Sequence, residues 1–171
     1  MIDTRVTLVL GGARSGKSRH AQARAEARGG ALVFVATAQA LDDEMRARVA
    51  QHRADRDSRW RTVEAPLALA ETIVAEGRAG SVLLVDCLTL WASNLLLGEA
   101  DAALALDALD AALRDTAARV VLVANEVGLG IVPDNALARR FRDLAGTINQ
   151  RVAARADRVV FVAAGLPLVL K

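Results

Sequence analysis

The chain has 171 residues, 53% hydrophobic and 25% charged, with a formal net charge of +2, which excludes a disordered segment and allows one domain over residues 1–171. A single cysteine excludes an internal disulfide and a multi-cysteine metal site, and two Trp, three Phe and no Tyr give no stacking platform for nucleic acid. No apolar stretch approaches the ~20 residues needed to span a bilayer, and Val6–Leu10 is too short for a signal sequence, so a soluble cytoplasmic protein is expected.

In chain order, the apolar run Val6 to Leu10 reads as a strand. It feeds Gly11-Gly12-Ala13-Arg14-Ser15-Gly16-Lys17-Ser18, then an alanine- and arginine-rich helical segment that ends near Arg28-Gly29-Gly30. Ala31 to Ala36 is a continuous apolar run, the pattern of a strand buried on both faces. Thr37 to Leu41 reads as a loop, and Asp42-Asp43-Glu44 opens a helix carrying Met45, Val49 and His52 on one face. A polar segment, Ala54 to Arg61, follows, and then a helix from Leu67 to Glu76. Val82 to Asp86 is the next buried strand, followed by helices over Leu88 to Leu97 and Asp101 to Ala118, the latter with Leu106, Leu109 and Leu113 at core spacing. Val120 to Ala124 is a strand running into Asn125-Glu126-Val127-Gly128-Leu129-Gly130. Pro133-Asp134 offers a cap for a long helix, Asn135 to Ala156, with Leu137, Phe141, Leu144, Ile148 and Val152 as its apolar stripe. Val159 to Ala163 and Leu166 to Leu170 are the last strands.

Alternating strands and helices with near-continuous apolar strands predict an α/β fold: a mainly parallel sheet with helices on both faces. Ligands of such sheets bind beyond the carboxyl ends of the strands, so the glycine loop, Thr37, Asp86 and Asn125–Gly130 should share one rim.

Gly11, four residues, Gly16, Lys17 and Ser18 spell the Walker A pattern. Polyphosphate oxygens need several backbone N–H groups at once, which requires a tight turn without Cβ atoms in the way, set at a helix N-terminus. Lys17 would reach the β- and γ-phosphates and Ser18 would ligate Mg²⁺. Asp86 suits a Walker B acid on that ion; the alternative is a cap for the following helix. His52 is one of two histidines. Beside Arg53, Arg56, Arg59 and Arg61 it is either a buried imidazole or a nucleophile next to a phosphate-binding cluster. His20 reads as structural and Cys87 as an inert core thiol. Glu64 is either a base or ribose contact or a solvated loop acid, and Glu126 either assists the substrate or only shapes its loop.

Five segments together carry a resemblance: Gly-Gly-Ala-Arg-Ser-Gly-Lys-Ser at 11–18, Ala-Thr-Ala at 36–38, Leu-Asp-Asp-Glu-Met at 41–45, His52 with Arg53 and Arg56, and Asn-Glu-Val-Gly-Leu-Gly-Ile-Val-Pro at 125–133. The chain resembles the bifunctional adenosylcobinamide kinase / adenosylcobinamide-phosphate guanylyltransferases of cobalamin biosynthesis. The resemblance implies phosphorylation of adenosylcobinamide by ATP or GTP. It also implies transfer of GMP from GTP, through a guanylylated His52, to adenosylcobinamide phosphate, with release of pyrophosphate. It places nucleotide contacts on Gly11–Ser18, Ala36, Thr37, Ala38, Arg53, Arg56, Glu64 and Asp86, and implies a RecA-like sheet and a homotrimer. Asp57 departs from the proline usual in similar proteins. The competing readings are a single-function small-molecule kinase and a nucleotide-gated assembly protein of RecA type.

Overall fold

A computed structural model describes residues 4–39 and 57–171. The helix expected from Asp42, with His52, Arg53 and Arg56, lies outside the described residues.

The strands are β1 (Val6–Gly11), β2 (Ala31–Ala36), β3 (Trp60–Glu64), β4 (Ser81–Asp86), β5 (Arg119–Asn125), β6 (Arg158–Ala163) and β7 (Leu166–Val169). The helices are α1 (Lys17–Glu26), α2 (Leu69–Glu76), α3 (Leu88–Leu97), α4 (Ala102–Asp115) and α5 (Ala136–Arg155). The strands form one seven-stranded sheet in the order β3-β2-β4-β5-β1-β6-β7, parallel except for β7 against β6. Its interior strands are buried along nearly their whole length, as their unbroken Val and Leu runs require once both faces are covered.

α2, α3, α4 and α5 lie on one face. There Leu69, Ile73, Trp91, Leu95, Leu109, Leu113, Ile148 and Val152 close a core with Leu8, Leu83, Val85 and Leu122. Ala21 and Ala25 of α1 pack on the other face against Val9, Phe34, Val121, Val123 and Val162. Alanine suits those positions because α1 crosses several strands at close range.

This division of helices locates a crevice. β1 and β5 are paired neighbours, with Gly11 level with Asn125. The chain leaves β1 for α1 on one face and β5 for α5 on the other. A gap between outgoing connections that part to opposite faces is the place where ligands of open α/β sheets bind.

Three expectations need correction. The polar segment Ala54 to Arg61 does not run on as a loop to Pro66: Trp60–Glu64 is an edge strand, β3, in parallel register with β2. Asp57 introduces it. Its backbone carbonyl accepts from Trp60 N–H at 3.2 Å and its carboxylate from Arg59 N–H at 2.9 Å, closing a turn that aims the chain into the strand. At α5 the cap is Asn135, not Asp134: the Asn135 side chain accepts from Ala138 N–H at 2.8 Å. Leu137, expected in the α5 stripe, is exposed, whereas Ile148 and Val152 are buried.

Candidate active site

The glycine loop is held from three sides. Ser15 N–H donates to Gly12 O at 3.3 Å, Glu126 N–H to Gly11 O at 3.1 Å, and Gly165 N–H to Ser15 O at 2.8 Å. The glycines at 11 and 16 are needed for different reasons. A Cβ on Gly11 would lie 2.5 Å from both Ser15 Oγ and Val162 O, an impossible approach. Gly16 has φ +92°, a conformation that L side chains rarely adopt. Arg14 also takes a positive φ, 53°, so its peptide groups turn within the loop.

Lys17 opens α1 and is 9% exposed, its Nζ donating to Gly12 O at 3.2 Å. Among the described residues no side chain caps the first turn of α1, which leaves its amides for an anion, as a site at a helix N-terminus needs. The Ser15 hydroxyl is buried with no hydrogen-bond partner among the described residues. Ala13 and Arg14 are exposed at the tip, while Gly12 and Ser18 are half-buried.

Across the sheet the remaining described candidates lie on the same carboxyl rim. Ala36 is level with Asp86 on one side and with Glu64 on the other. Asp86 is half-buried at the end of β4, one strand removed from β1 by β5. At strand spacings of about 4.8 Å, Asp86 is roughly 10 Å from the glycine-loop strand and Glu64 roughly 19 Å from it. The fold therefore brings Gly11–Ser18 and Asp86 together and leaves Glu64, exposed at the end of β3, at the far end of the rim. Glu64 is a strand-end acid, not the loop acid that the sequence suggested as an alternative.

Thr37 is wholly buried and its groups are committed. Oγ1 donates to Cys87 O at 2.7 Å and accepts from Cys87 N–H at 2.8 Å. Its N–H donates to Asp86 O at 3.3 Å, and its carbonyl accepts from Asn94 Nδ2 at 2.8 Å. The Thr37 side chain thus fastens the end of β2 to the Asp86-Cys87 turn, whose peptide bond is cis. Ala38, next in the chain, is half-buried on the rim. Asn94 also donates to Pro66 O at 2.8 Å, tying the exits of β2 and β3 to α3. Asn94 and Thr89, whose Oγ1 accepts from Asn125 N–H at 2.7 Å, are visible in the sequence as polar residues on an apolar helix but carry no motif that assigns them a role.

Two arginines of the expected phosphate cluster are engaged elsewhere. Arg59 forms an ion pair with Asp57 and approaches Glu26 at 3.7 Å, and Arg61 pairs with Glu76. Those contacts hold Asp57 and Glu76 below the usual carboxylate range. Beside Asp86, burial and then the Asp86 charge push the Cys87 thiol up to about 11, so Cys87 is an inert thiol at neutral pH.

A glycine loop between β1 and α1, a strand-end acid on β4, the next strand but one, and a crevice between β1 and β5 define a P-loop nucleotide-binding α/β protein of RecA-like type. Solved structures agree at the level of fold. The flagellar accessory protein FlaH of Methanocaldococcus jannaschii superposes with a TM-score of 0.54 at 12% identity, covering 98% of this chain and 78% of that one. A type III secretion ATPase of pathogenic bacteria gives 0.54 at 11% identity, covering 96% and 56%. The family model described as cobinamide kinase / cobinamide phosphate guanyltransferase matches residues 7–170. The bifunctional adenosylcobalamin biosynthesis protein CobP of Pseudomonas aeruginosa is 52% identical over 166 residues, 96% of each chain. CobU of Salmonella typhimurium is 46% identical over 181 residues, covering 96% of this chain and 98% of its own. The chain belongs to this family of bifunctional cobinamide kinases and cobinamide-phosphate guanylyltransferases.

Proposed function

We propose that the whole chain acts as one nucleotide-binding and transferase domain that performs both family reactions on a single rim. In the first, ATP or GTP lies with its phosphates in Gly11–Ser18, and its γ-phosphoryl group passes to the terminal hydroxyl of adenosylcobinamide. Lys17 draws charge from the phosphates, and amides of the loop and of the first turn of α1 meet their oxygens. The observation that carries this reading is the Ser15 hydroxyl, buried in the loop without a partner among the described residues, which a phosphate oxygen would satisfy.

Mg²⁺ fits the donors present. The Ser18 hydroxyl and the Asp86 carboxylate are hard oxygen ligands on the two sides of the crevice, and their separation across β5 suits contact by Asp86 through water. When bound, the ion neutralises phosphate charge.

In the second reaction His52, with Arg53 and Arg56 beside it in sequence, attacks the α-phosphorus of GTP. An N–P bond forms, the bond to the β-phosphate oxygen breaks, pyrophosphate leaves and the imidazole N–H proton passes to solvent. An oxygen of adenosylcobinamide phosphate then displaces the histidine, giving adenosylcobinamide-GDP. Ala36, Ala38, Glu64 and Asp86 are the rim contacts for nucleotide, with Glu64 receiving base or ribose, and the buried Thr37 acts by holding Asp86. Routing GMP through His52 separates two displacements, so that GTP and the acceptor phosphate need not be neutralised together.

We further read the protein as a cytoplasmic homotrimer. The edge strand β7 exposes Leu166, Leu168 and Val169, and Leu170 follows it, an apolar strip suited to a subunit contact. Among the described residues no helix is long and apolar enough to cross a membrane.

The test is incubation with Mg²⁺ and α-labelled GTP, followed by denaturation, for the parent and His52→Ala. Acid-labile, alkali-stable label on the parent alone supports the guanylyl-histidine. Absence of label on the parent leaves a single-function kinase.

A further inference from the structure

We propose that the loop from Val127 to Leu137 is the seat of the corrinoid body of the acceptor, with Leu129, Ile131 and Val132 lying against the macrocycle. This rests on the reading that the acceptor hydroxyl reaches nucleotide held by Gly11–Ser18.

The crevice has two walls. The glycine loop after β1 forms one, and the loop after β5 forms the other, with Asn125 level with Gly11 and Glu126 N–H bonded to Gly11 O. Nucleotide phosphates take the first wall, because that is where the amides and Lys17 are. The acceptor must then approach from the second.

The second wall is built as an apolar shelf. Val127 packs on the core cluster, but Leu129 is 84% exposed, Ile131 98% and Val132 63%, with Leu137 at 52% on the first turn of α5. Val74 and Leu104 stand singly, as on any surface, and the exposed group at Leu166–Leu170 lies along the edge of the sheet, with β6 between it and β1. On the shelf the apolar side chains are nearly consecutive and border the crevice, which marks a binding surface.

The shelf is also fixed at both ends. The Glu126 carboxylate accepts from Gly128 N–H at 2.7 Å, and Arg139 Nη1 donates to Pro133 O at 2.9 Å and to Asp134 O at 2.8 Å. Holding the loop in place before the ligand arrives lowers the ordering cost of binding. A corrinoid is a broad macrocycle with methyl-bearing faces and an alkyl arm that ends in the reacting hydroxyl. An apolar shelf next to the phosphate loop receives the faces while the arm reaches into the crevice. Because the second-step acceptor differs only by a phosphate on that arm, one shelf serves both steps.

The experiment compares the parent, a Leu129→Ser/Ile131→Ser double variant and, as a surface control, Val74→Ser on α2. Kinase rates are measured against adenosylcobinamide concentration and, separately, against 1-amino-2-propanol, the arm alone. The double variant should raise KM for adenosylcobinamide at least tenfold with kcat within twofold, while kcat/KM for the short acceptor moves less than threefold; Val74→Ser should match the parent. A corrinoid KM within twofold of the parent overturns the proposal. So does a change of mass in sedimentation, which would assign the shelf to a contact between copies. Hydrogen exchange on the parent gives an independent reading: adenosylcobinamide should slow exchange across 127–137, and unchanged exchange there at saturating ligand overturns the proposal. Self-labelling with GTP needs no corrinoid. Its absence would remove the His52 step and leave the shelf standing, whereas label with an unchanged corrinoid KM would remove the shelf alone.

Discussion

Gly16 and Gly165 meet at the glycine loop: a Cβ on Gly16 would lie 3.2 Å from Gly165 Cα, and Gly165 N–H donates to Ser15 O at 2.8 Å. The tip of the β6–β7 hairpin is thus a brace for the glycine loop. Its two residues, Ala164 at φ 51° and Gly165 at φ 79°, both take positive φ, as a type I′ turn requires. Gly165→Ala should cost about 1–2 kcal/mol from backbone strain alone, because its Cβ would meet open space. It should also weaken nucleotide binding by displacing Ser15. Ala164→Asn, restoring the favoured Asn-Gly pair, should raise the melting temperature and leave nucleotide affinity unchanged. Thermal unfolding and nucleotide titration of both variants check this.

Thr37→Val keeps the shape of the side chain and removes both hydrogen bonds to Cys87. The buried N–H and C=O left behind should cost about 1–3 kcal/mol each way of counting. Thr37→Ser, which retains the hydroxyl, should recover most of that. If Thr37 acts by aligning Asp86, the Val variant should lose kcat more than it raises KM for nucleotide. Equal kinetics in parent and Val variant would remove that role.

His20, on α1, has an Nε2 buried without a partner among the described residues. Burial, then the charges of Arg24 and Arg158, hold its pKa below 6.5. The unfolded chain therefore takes up a proton near pH 6.5 while the folded chain does not. Stability should be full above pH 6.5 and fall as pH drops below it. An NMR titration midpoint below 6.5, and a shallower acid-side loss of stability in His20→Gln, are the expected results.

How far the sequence spoke depended on whether a residue's environment is local. The turn from β1 into α1 at Gly11–Lys17 was legible because its glycines and the helical segment after it are local signals. The buried strands were legible because two covered faces leave no polar position. β3 was not: Trp60, Arg61, Thr62, Val63 and Glu64 mix charge with apolar residues, as suits a half-exposed edge strand that resists pairing with another chain. Asn135 displaced Asp134 as the α5 cap because one residue of register decides which side-chain oxygen reaches Ala138 N–H. The roles of Thr37 and Asn94 depend on contacts 50 and 57 residues apart, which no spacing rule can see. The glycine loop's brace at Gly165 was hidden for the same reason, although Ala-Gly between two apolar runs marks the hairpin itself.

Cys87 supplies the last test. It is 5% exposed, and burial and the Asp86 charge raise its pKa from 9.0 to about 11. The native protein should resist thiol reagents at pH 8 and react only after unfolding. The sign for stability follows from proton uptake. Between pH 9 and 11 the unfolded chain has lost the thiol proton and the folded chain retains it, so stability is full below pH 9 and falls as pH rises through that window. Two pK units correspond to a loss on the order of 2–3 kcal/mol. Cys87→Ala removes the titrating group, so its stability should decline less than the parent's between pH 9 and 11 when both are unfolded in denaturant. Parallel curves would mean that the thiol's surroundings do not set the alkaline limit.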